Sequence, residues 1–400
     1  MNSSFTLLKR FAFVALCILT VSCNDDEVSQ SASEDLIVMK ADYYGFNYDQ
    51  TVVVTDPNGR ILRSAKTTDL QDTPMPAPES GYSGDLVNVY LVTLSGSYYQ
   101  ISAFLNLKRG SDFDGPNYRY NPLNLNHIDI RTPKELSFDR LTVSTDFNGY
   151  TIENAADTVG LLNAMYADGN RLFAQVVKNG EAHYGFIDVD QQLNRATLDP
   201  SKLTLPSMKK SLKLDPEMGW AFFRMVGSFD SDSRFWGYNL YNASGSSQLD
   251  IFYPDLAFAK YFTSLNYVID KRSYWEERES SELNLDYKVM DFRGNIIDGD
   301  PRSFKIDVTG DFDYYIASYT AGDAFLYVYN SHRYGSFSMP DFSQVYGLKE
   351  FPFSKIKQVN IQLVDEIGLT EDQENFRYFT SGKLKVLHNK RIIFFNAPVN

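Results

Sequence analysis

The chain has 400 residues, 43% of them hydrophobic and 15% aromatic, and its 51 acidic residues outnumber the 38 basic ones to give a net charge of −13. This acidity argues against binding to nucleic acid or to anionic lipid, because both require clustered lysine and arginine. The length exceeds what one small core usually supports and indicates about two to four domains. Tyrosine (27) and phenylalanine (29) dominate the aromatic residues and favour strands.

The first 22 residues are typical of a secretory signal peptide. A basic start precedes an apolar run, FAFVALCILTV, at 11–21. This run is too short to cross a membrane as a helix, which needs about 20 apolar residues, but it suits a cleaved signal. Cys17 leaves with the signal, so Cys23 is the one thiol of the mature chain. Acylation would protect a lone thiol in an oxidising compartment, and we therefore expect lipidation at Cys23. An ordinary signal with a chance cysteine is the alternative.

The residues around the cysteine resemble two known signals. Residues 19–23, LTVSC, resemble a lipobox, and the acidic residues at 24–27, NDDE, resemble the export signal of Bacteroidota surface lipoproteins. The resemblance implies a lipid anchor at the outer face of the outer membrane, which would be the only contact with the membrane. Residues 23–35 are polar and read as a flexible tether. If NDDE is merely a solvated linker, the periplasmic face is the alternative location.

The rest of the chain alternates between apolar and polar residues with period two, interrupted by turn residues such as Asn179-Gly180. This pattern predicts about 25 strands. We expect an all-β fold of tandem antiparallel β-sandwiches, immunoglobulin-like or transthyretin-like. The expected modules are 36–135, 136–210, 211–300 and 301–400. Helical periodicity occurs only at 154–166 and 276–282, where we expect short helices.

The first module resembles a known family. Residues 51–64, TVVVTDPNGRILRS, predict a hairpin with a Pro-Asn-Gly turn, and two further strands follow at 87–107. The segment is similar to the transthyretin-like, carboxypeptidase-regulatory-like sandwiches of Bacteroidota surface proteins. The matching residues are Val54, Asp56, Gly59, Gly96, Tyr98 or Tyr99, and Ile101. The resemblance implies a spacer or binding module without catalysis.

Two segments in the second half of the chain suggest an internal repeat. Tyr241-Asn242 and Tyr329-Asn330 each end an aromatic run, and each is followed by a Pro-Asp pair and then by a strand ending in Asp. A domain-sized period of this kind favours duplicated sandwiches over propeller blades. The hairpin at 171–188 is a candidate third copy. Coincidence remains the alternative, because the intervening spacings differ.

No motif for common catalytic chemistry occurs. The sequence contains no G-x-S-x-G, no H-E-x-x-H and no phosphate-binding glycine loop. His127 and Asp129 could form a metal pair, although a surface pair is the simpler interpretation. The acidic clusters at 146–149, 230–232 and 311–313 could bind calcium, but none matches an EF-hand, and Asp also favours turns on its own. We therefore expect no metal or cofactor.

The three tryptophans are the candidate ligand contacts. Trp220, Trp236 and Trp275 could stack on sugar rings, although a tryptophan in an alternating strand more often belongs to the core. We therefore expect a non-catalytic surface lipoprotein that binds a glycan or a protein partner or acts as a spacer. The alternative is a surface glycan hydrolase that uses a carboxylate pair unmarked in the sequence. Trp275-Glu276-Glu277 is one candidate, although the charged residues around it favour a solvated face.

Overall fold

The chain folds almost entirely into strands. A computed structural model describes residues 35–39, 50–70, 74–113, 126–131, 137–145, 149–153, 161–166, 171–190, 192, 195–229, 237–331, 333–366 and 389–399. In these residues the regular elements are strands and one-turn 3-10 helices, so the predicted all-β class is confirmed. The 3-10 helices span Thr67–Asp69, Pro200–Lys202, Pro216–Met218, Phe342–Gln344 and Phe353–Lys355.

The strands are numbered in chain order. The first half of the chain contains β1 Asp35–Met39, β2 Gln50–Thr55, β3 Ile61–Lys66, β4 Pro74–Pro76, β5 Leu86–Ser95, β6 Tyr98–Lys108, β7 Ser111–Phe113, β8 Asn126–Arg131, β9 Arg140–Ser144, β10 Gly149–Glu153, β11 Leu161–Tyr166, β12 Arg171–Lys178 and β13 Glu181–Asp188. The second half contains β14 Arg195–Thr197, β15 Leu205–Lys213, β16 Ala221–Ser228, β17 Tyr238–Gly245, β18 Gln248–Pro254, β19 Lys260–Ile269, β20 Arg272–Ser280, β21 Arg293–Asp298, β22 Lys305–Thr309, β23 Tyr314–Ala321, β24 Ala324–Ser331, β25 Gln358–Glu366 and β26 Lys390–Pro398.

Two large sheets dominate the fold. The long sheet has 12 strands in the order β17-β16-β19-β20-β26-β25-β23-β24-β6-β5-β2-β3, and a second sheet has 6 strands in the order β10-β9-β12-β13-β15-β18. Smaller sheets are formed by β4-β1-β7, β11-β8-β14 and β21-β22. The long sheet takes strands from three of the four expected modules, whose boundaries stay a prediction.

A four-strand unit occurs four times in the part of the chain that the structure describes. In each unit the first strand pairs with the second on one side and with the third on the other, and the fourth pairs with the third, always antiparallel. Unit I contains β2, β3, β5 and β6; unit II contains β9, β10, β12 and β13; unit III contains β16, β17, β19 and β20; unit IV contains β23, β24, β25 and β26. Units III and IV join through antiparallel β20 and β26, whereas units IV and I join through parallel β24 and β6.

The predicted repeat corresponds to equivalent strands of two units. Tyr241 and Tyr329 lie in β17 and β24, the second strands of units III and IV. The following strands that end in Asp are β19 and β25, the third strands of the same units. The candidate third copy at 171–188 lies in unit II, but it is the hairpin of the third and fourth strands, β12 and β13.

The main core lies between the two large sheets. It includes Phe173 of β12, Phe223 of β16 and Leu265 of β19, and it continues under units IV and I. A second core packs β2, β5 and β6 against β1, with Leu36 and Val89 fully buried. A third joins β8 to β9 and β12. Many of the aromatic residues are thus buried between layers of sheet, as expected for sandwiches.

Both predicted helices are replaced by strand. Residues 161–166 form β11, which pairs along its whole length with β8, and residues 154–160 lie outside the described part of the chain. Residues 276–280 belong to β20, where Glu276 points to the core and Glu277 does not. Pairing with neighbouring strands outweighs the weak local helix preference in both places. In the part of the chain that the structure describes, no helix is long and apolar enough to cross a membrane.

Candidate functional site

The candidate site is the outer face of the long sheet across β16, β19, β20, β26 and β25. Burial alternates along β19 because every second residue points to the core. The residues between them are partly or fully exposed and define what we call the open face. Its exposed or half-buried members are Trp220, Phe222, Asn266, Val268, Ser273, Trp275, Gln362 and Phe394. Ile392 and Val364 lie in the same row as Trp275 but are buried, so the open face is interrupted at β26 and β25.

Strand register brings two of the three predicted tryptophans to this face. Phe222 pairs with Asn266, which pairs with Trp275. Trp220 directly precedes β16, and the next residue along, Ala221, pairs with Tyr267. Since one strand separates β16 from β20, these two strands lie about 10 Å apart. Trp236 lies outside the described residues.

The two rings differ in accessibility. Trp220 is 60% exposed and Val268 nearby is 51% exposed. Trp220 is therefore not the core residue that its strand-like sequence would favour. Trp275 is half-buried: its ring stacks on Phe394 at 6.3 Å between centroids, and the ammonium of Lys390 lies 5.7 Å from the ring centroid. The indole N–H of Trp275 is buried and has no hydrogen-bond partner among the described residues.

Two ion pairs lie on the open face beside the Trp275 strand. Lys390 forms an ion pair with Glu277 at 3.1 Å, and Lys260 pairs with Glu279 at 2.6 Å. The amides of Asn266 and Gln362 supply donors and acceptors without charge. Flat rings with neutral amides can stack on the apolar face of a sugar and hydrogen-bond its hydroxyls.

The opposite face of the same strands holds a buried charge network. Glu276 pairs in register with Arg391, which pairs with Asp365. Arg278 contacts Glu276 at 2.7 Å, and Arg391 donates from Nε to Asp365 at 2.6 Å. Burial raises the pKa of Glu276 against the opposing effect of Arg278, and burial likewise raises the pKa of Asp365 against Arg391. The sequence does not indicate that these two carboxyls are near each other, because they lie on strands distant in the chain.

A segment without regular structure, 281–292, crosses this network. Tyr287 donates from its hydroxyl to Thr263 at 2.7 Å, and the guanidinium of Arg278 lies 4.2 Å from the Tyr287 ring centroid. The backbone N–H of Met290 donates to the hydroxyl of Tyr267 at 3.1 Å. Glu276 is consequently only 3% exposed. The ring of Trp275 and the carboxyl of Glu276, adjacent in sequence, thus lie on opposite faces of the sheet.

The remaining candidates are dispersed. Cys23 and the acidic clusters at 146–148 and 230–232 lie outside the described residues. In the cluster at 311–313, Asp313 accepts a hydrogen bond from the backbone N–H of Glu366 at 2.6 Å and so joins two strand ends. His127 and Asp129 both lie in β8. Within the described ranges, no group of three or more His, Cys, Asp or Glu could hold a metal ion.

No protein-family model matches the chain, and no curated protein matches it. The transthyretin-like resemblance of residues 51–107 and the lipoprotein signals therefore stay predictions.

Proposed function

We propose that the chain is a surface lipoprotein, anchored by a lipid on Cys23, whose β body binds a glycan or protein partner without catalysis. One observation supports the binding role above all: Trp220 and Trp275 share the open face with neutral amides. A glycan is the favoured ligand because aromatic rings and amides match its apolar faces and hydroxyls. The two lysines on this face, Lys390 and Lys260, are each ion-paired with a glutamate, which favours a neutral glycan over an acidic one.

Binding is tested on a glycan array with the chain lacking residues 1–23. We expect Trp220→Ala and Trp275→Ala each to weaken binding of the best neutral glycan about tenfold, the usual cost of removing a stacking ring. Tyr346→Ala is the matched control, because Tyr346 is fully exposed in the loop between β24 and β25 and is not part of the open face. Equal losses in all three variants, or none in either tryptophan variant, would refute this site.

The anchor is tested separately. Cys23→Ala should leave the protein without fatty acids, so that it is released from the membrane fraction, because the anchor is the expected membrane contact. Mass spectrometry of the natural protein should find a lipid-modified amino terminus at Cys23. An unmodified terminus would remove the anchor from the proposal but would leave binding at the open face intact.

The alternative function is glycan hydrolysis. Its support is the pair Glu276 and Asp365, both with raised pKa values and lying in one row of the sheet with a single strand between them. A hydrolase needs one protonated acid and one ionised carboxylate about 5–10 Å apart. Polysaccharide cleavage that is abolished in both Glu276→Gln and Asp365→Asn, with binding retained, would establish this alternative.

A further inference from the structure

A groove lies where the two large sheets meet. β17 is an edge strand of the long sheet, β18 is an edge strand of the second sheet, and residues of both strands line the groove. The groove between them has a volume of about 370 Å³, within the roughly 300–1,000 Å³ of small-ligand sites. It adjoins the open face, because its rim residue Ser244 pairs with Phe222.

The walls of the groove place donors above aromatic rings. Tyr241 and Phe252 are 1% and 7% exposed and line the interior. The guanidinium of Arg140 lies 5.0 Å from the Tyr241 ring centroid, and the ammonium of Lys209 lies 5.5 Å from that of Phe252. Stacking of this kind holds long cationic side chains in place at the groove.

Two carboxylates supply the acceptors. Asp250 contacts Lys209 at 2.8 Å and accepts hydrogen bonds from Ser211 at 2.7 Å and Gln248 at 3.0 Å. These contacts lower its pKa to about 2, so it is ionised at neutral pH. Asp139 accepts a hydrogen bond from the backbone N–H of Asn179 at 2.6 Å. A carboxylate offers about four acceptor positions, so both can accept further hydrogen bonds.

The chemistry of the rim defines the ligand. The groove is lined by two acids, Asp139 and Asp250, and one base, Arg140, and Lys209 beside the lining forms an ion pair with Asp250, so the charges at the site compensate. Hydroxyl groups both donate and accept, and a molecule carrying several of them can satisfy such a rim from several directions. We propose that this groove is a binding site for a short neutral saccharide, separate from the tryptophans of the open face and not dependent on them.

Calorimetry with the full-length protein in detergent tests the groove, with neutral mono- and disaccharides as probes and a neutral tripeptide as the comparison ligand. We expect Asp139→Asn and Gln248→Ala each to weaken saccharide binding at least tenfold. Asp188→Asn is the matched control, because Asp188 is an exposed carboxylate of the same sheet, ion-paired with Arg171 at 3.2 Å. The Asp188→Asn variant should bind the saccharide with an affinity within twofold of that of the natural protein.

Two further results decide between the sites. In a chain that carries both Trp220→Ala and Trp275→Ala, which removes the open-face site, saccharide binding should persist and should still be weakened at least tenfold by Asp139→Asn. Saccharide binding that is lost in the tryptophan variant and kept in both groove variants would overturn the proposal. Absence of saccharide binding, or preference for the tripeptide, would also overturn it. Circular dichroism of each variant confirms that the sheets are intact, and Gln248→Ala serves if Asp139→Asn does not fold.

Discussion

At the scale of single residues, Glu276 is a buried charge whose partners can be tested. Its carboxylate is buried, and burial raises its pKa despite the contact with Arg278 at 2.7 Å. A carboxyl whose pKa is higher in the folded than in the unfolded chain costs stability above that pKa, and this cost disappears as the pH falls below it. Arg278 limits the cost at neutral pH by supplying a partner in a site with little water.

Arg278→Leu should therefore destabilise the fold in a pH-dependent way. At pH 7 we expect a loss of about 3–5 kcal/mol in the free energy of unfolding, because an uncompensated carboxylate stays buried. The loss should shrink at pH 5, as Glu276 takes up a proton in the folded state. Urea denaturation at the two pH values measures both quantities.

Arg171→Leu is the control for this prediction. Its ion pair with Asp188 joins side chains that are 67% and 74% exposed, and such pairs contribute less than about 1 kcal/mol. The loss of unfolding free energy in Arg278→Leu should exceed that in Arg171→Leu and should differ between pH 5 and pH 7. If it does neither, buried Glu276 does not depend on Arg278 for its stability.

At the scale of the element, two glycines in turns allow the cost of a left-handed backbone to be separated from the cost of a steric clash. Gly310, directly after β22, has φ of +89°, and a Cβ there would lie 2.5 Å from Cα of Phe292. Gly322, in the turn of β23 and β24, has φ of +69° but no neighbouring atom within 4 Å of such a Cβ. Only Gly310 is therefore required both by its dihedral angle and by close packing.

Gly322→Ala should cost about 1–2 kcal/mol, the penalty of a left-handed residue that is not glycine. Gly310→Ala should cost about 1–3 kcal/mol more, because the backbone at Phe292 must also move. Thermal unfolding of the two variants gives the difference directly. If the two alanine variants unfold at the same temperature, the close approach at Phe292 does not contribute.

Sequence patterns predict individual strands and hairpins well but not their wider pairing. The turn after β2 was marked by Pro-Asn-Gly, and Asp56 indeed binds the backbone N–H groups of Asn58 and Arg60 at 3.0 and 2.9 Å. Such turns are local and depend on a few residues. The parallel pairing of β24 with β6, by contrast, joins residues more than 200 positions apart, so that Leu326 lies opposite Ile101. No local signal encodes that choice, which depends on burying shared faces.

The same limit applies to the candidate site. Trp220 and Trp275 were identified by residue type alone, whereas their common face became visible only through the register of β16, β19 and β20. Sequence alone does not place Phe394 and Gln362 at this site, because alternation marks outward positions without revealing which strands are neighbours. The groove at Asp139 and Asp250 was unpredictable for a further reason: it lies between sheets, where no strand pattern applies.

At the scale of the whole molecule, buried tyrosines set a limit at high pH. Burial raises the pKa of Tyr90 to about 12 and raises those of Tyr99, Tyr267, Tyr287, Tyr315 and Tyr319. A tyrosine whose pKa is raised by folding contributes its full stability to the folded state below the unfolded pKa of about 10. This contribution is lost as the pH rises from there through the folded pKa. Above pH 10 each such residue should remove up to about 1.4 kcal/mol per pH unit.

We therefore expect cooperative unfolding above pH 10, followed by far-ultraviolet circular dichroism, with tyrosinate absorbance rising in the same transition. Tyr319→Phe should move the transition to higher pH and slightly stabilise the protein at pH 7, because the Tyr319 hydroxyl is buried with no hydrogen-bond partner in the described part of the chain. Tyrosines that all ionise near pH 10 before any loss of structure would contradict their burial.

The long sheet also bears on whether the expected modules fold alone. Removing residues 301–400 would take away β26 and β24, and so leave β20 and β6 with unpaired edges and open the main core. Exposed sheet edges of this length promote aggregation. We therefore expect residues 24–300 to elute as aggregates in size-exclusion chromatography and to lack a cooperative thermal transition, while residues 24–400 are monodisperse and cooperative. A monodisperse 24–300 fragment with native-like strand content would instead show that the boundary at 300 separates independent modules.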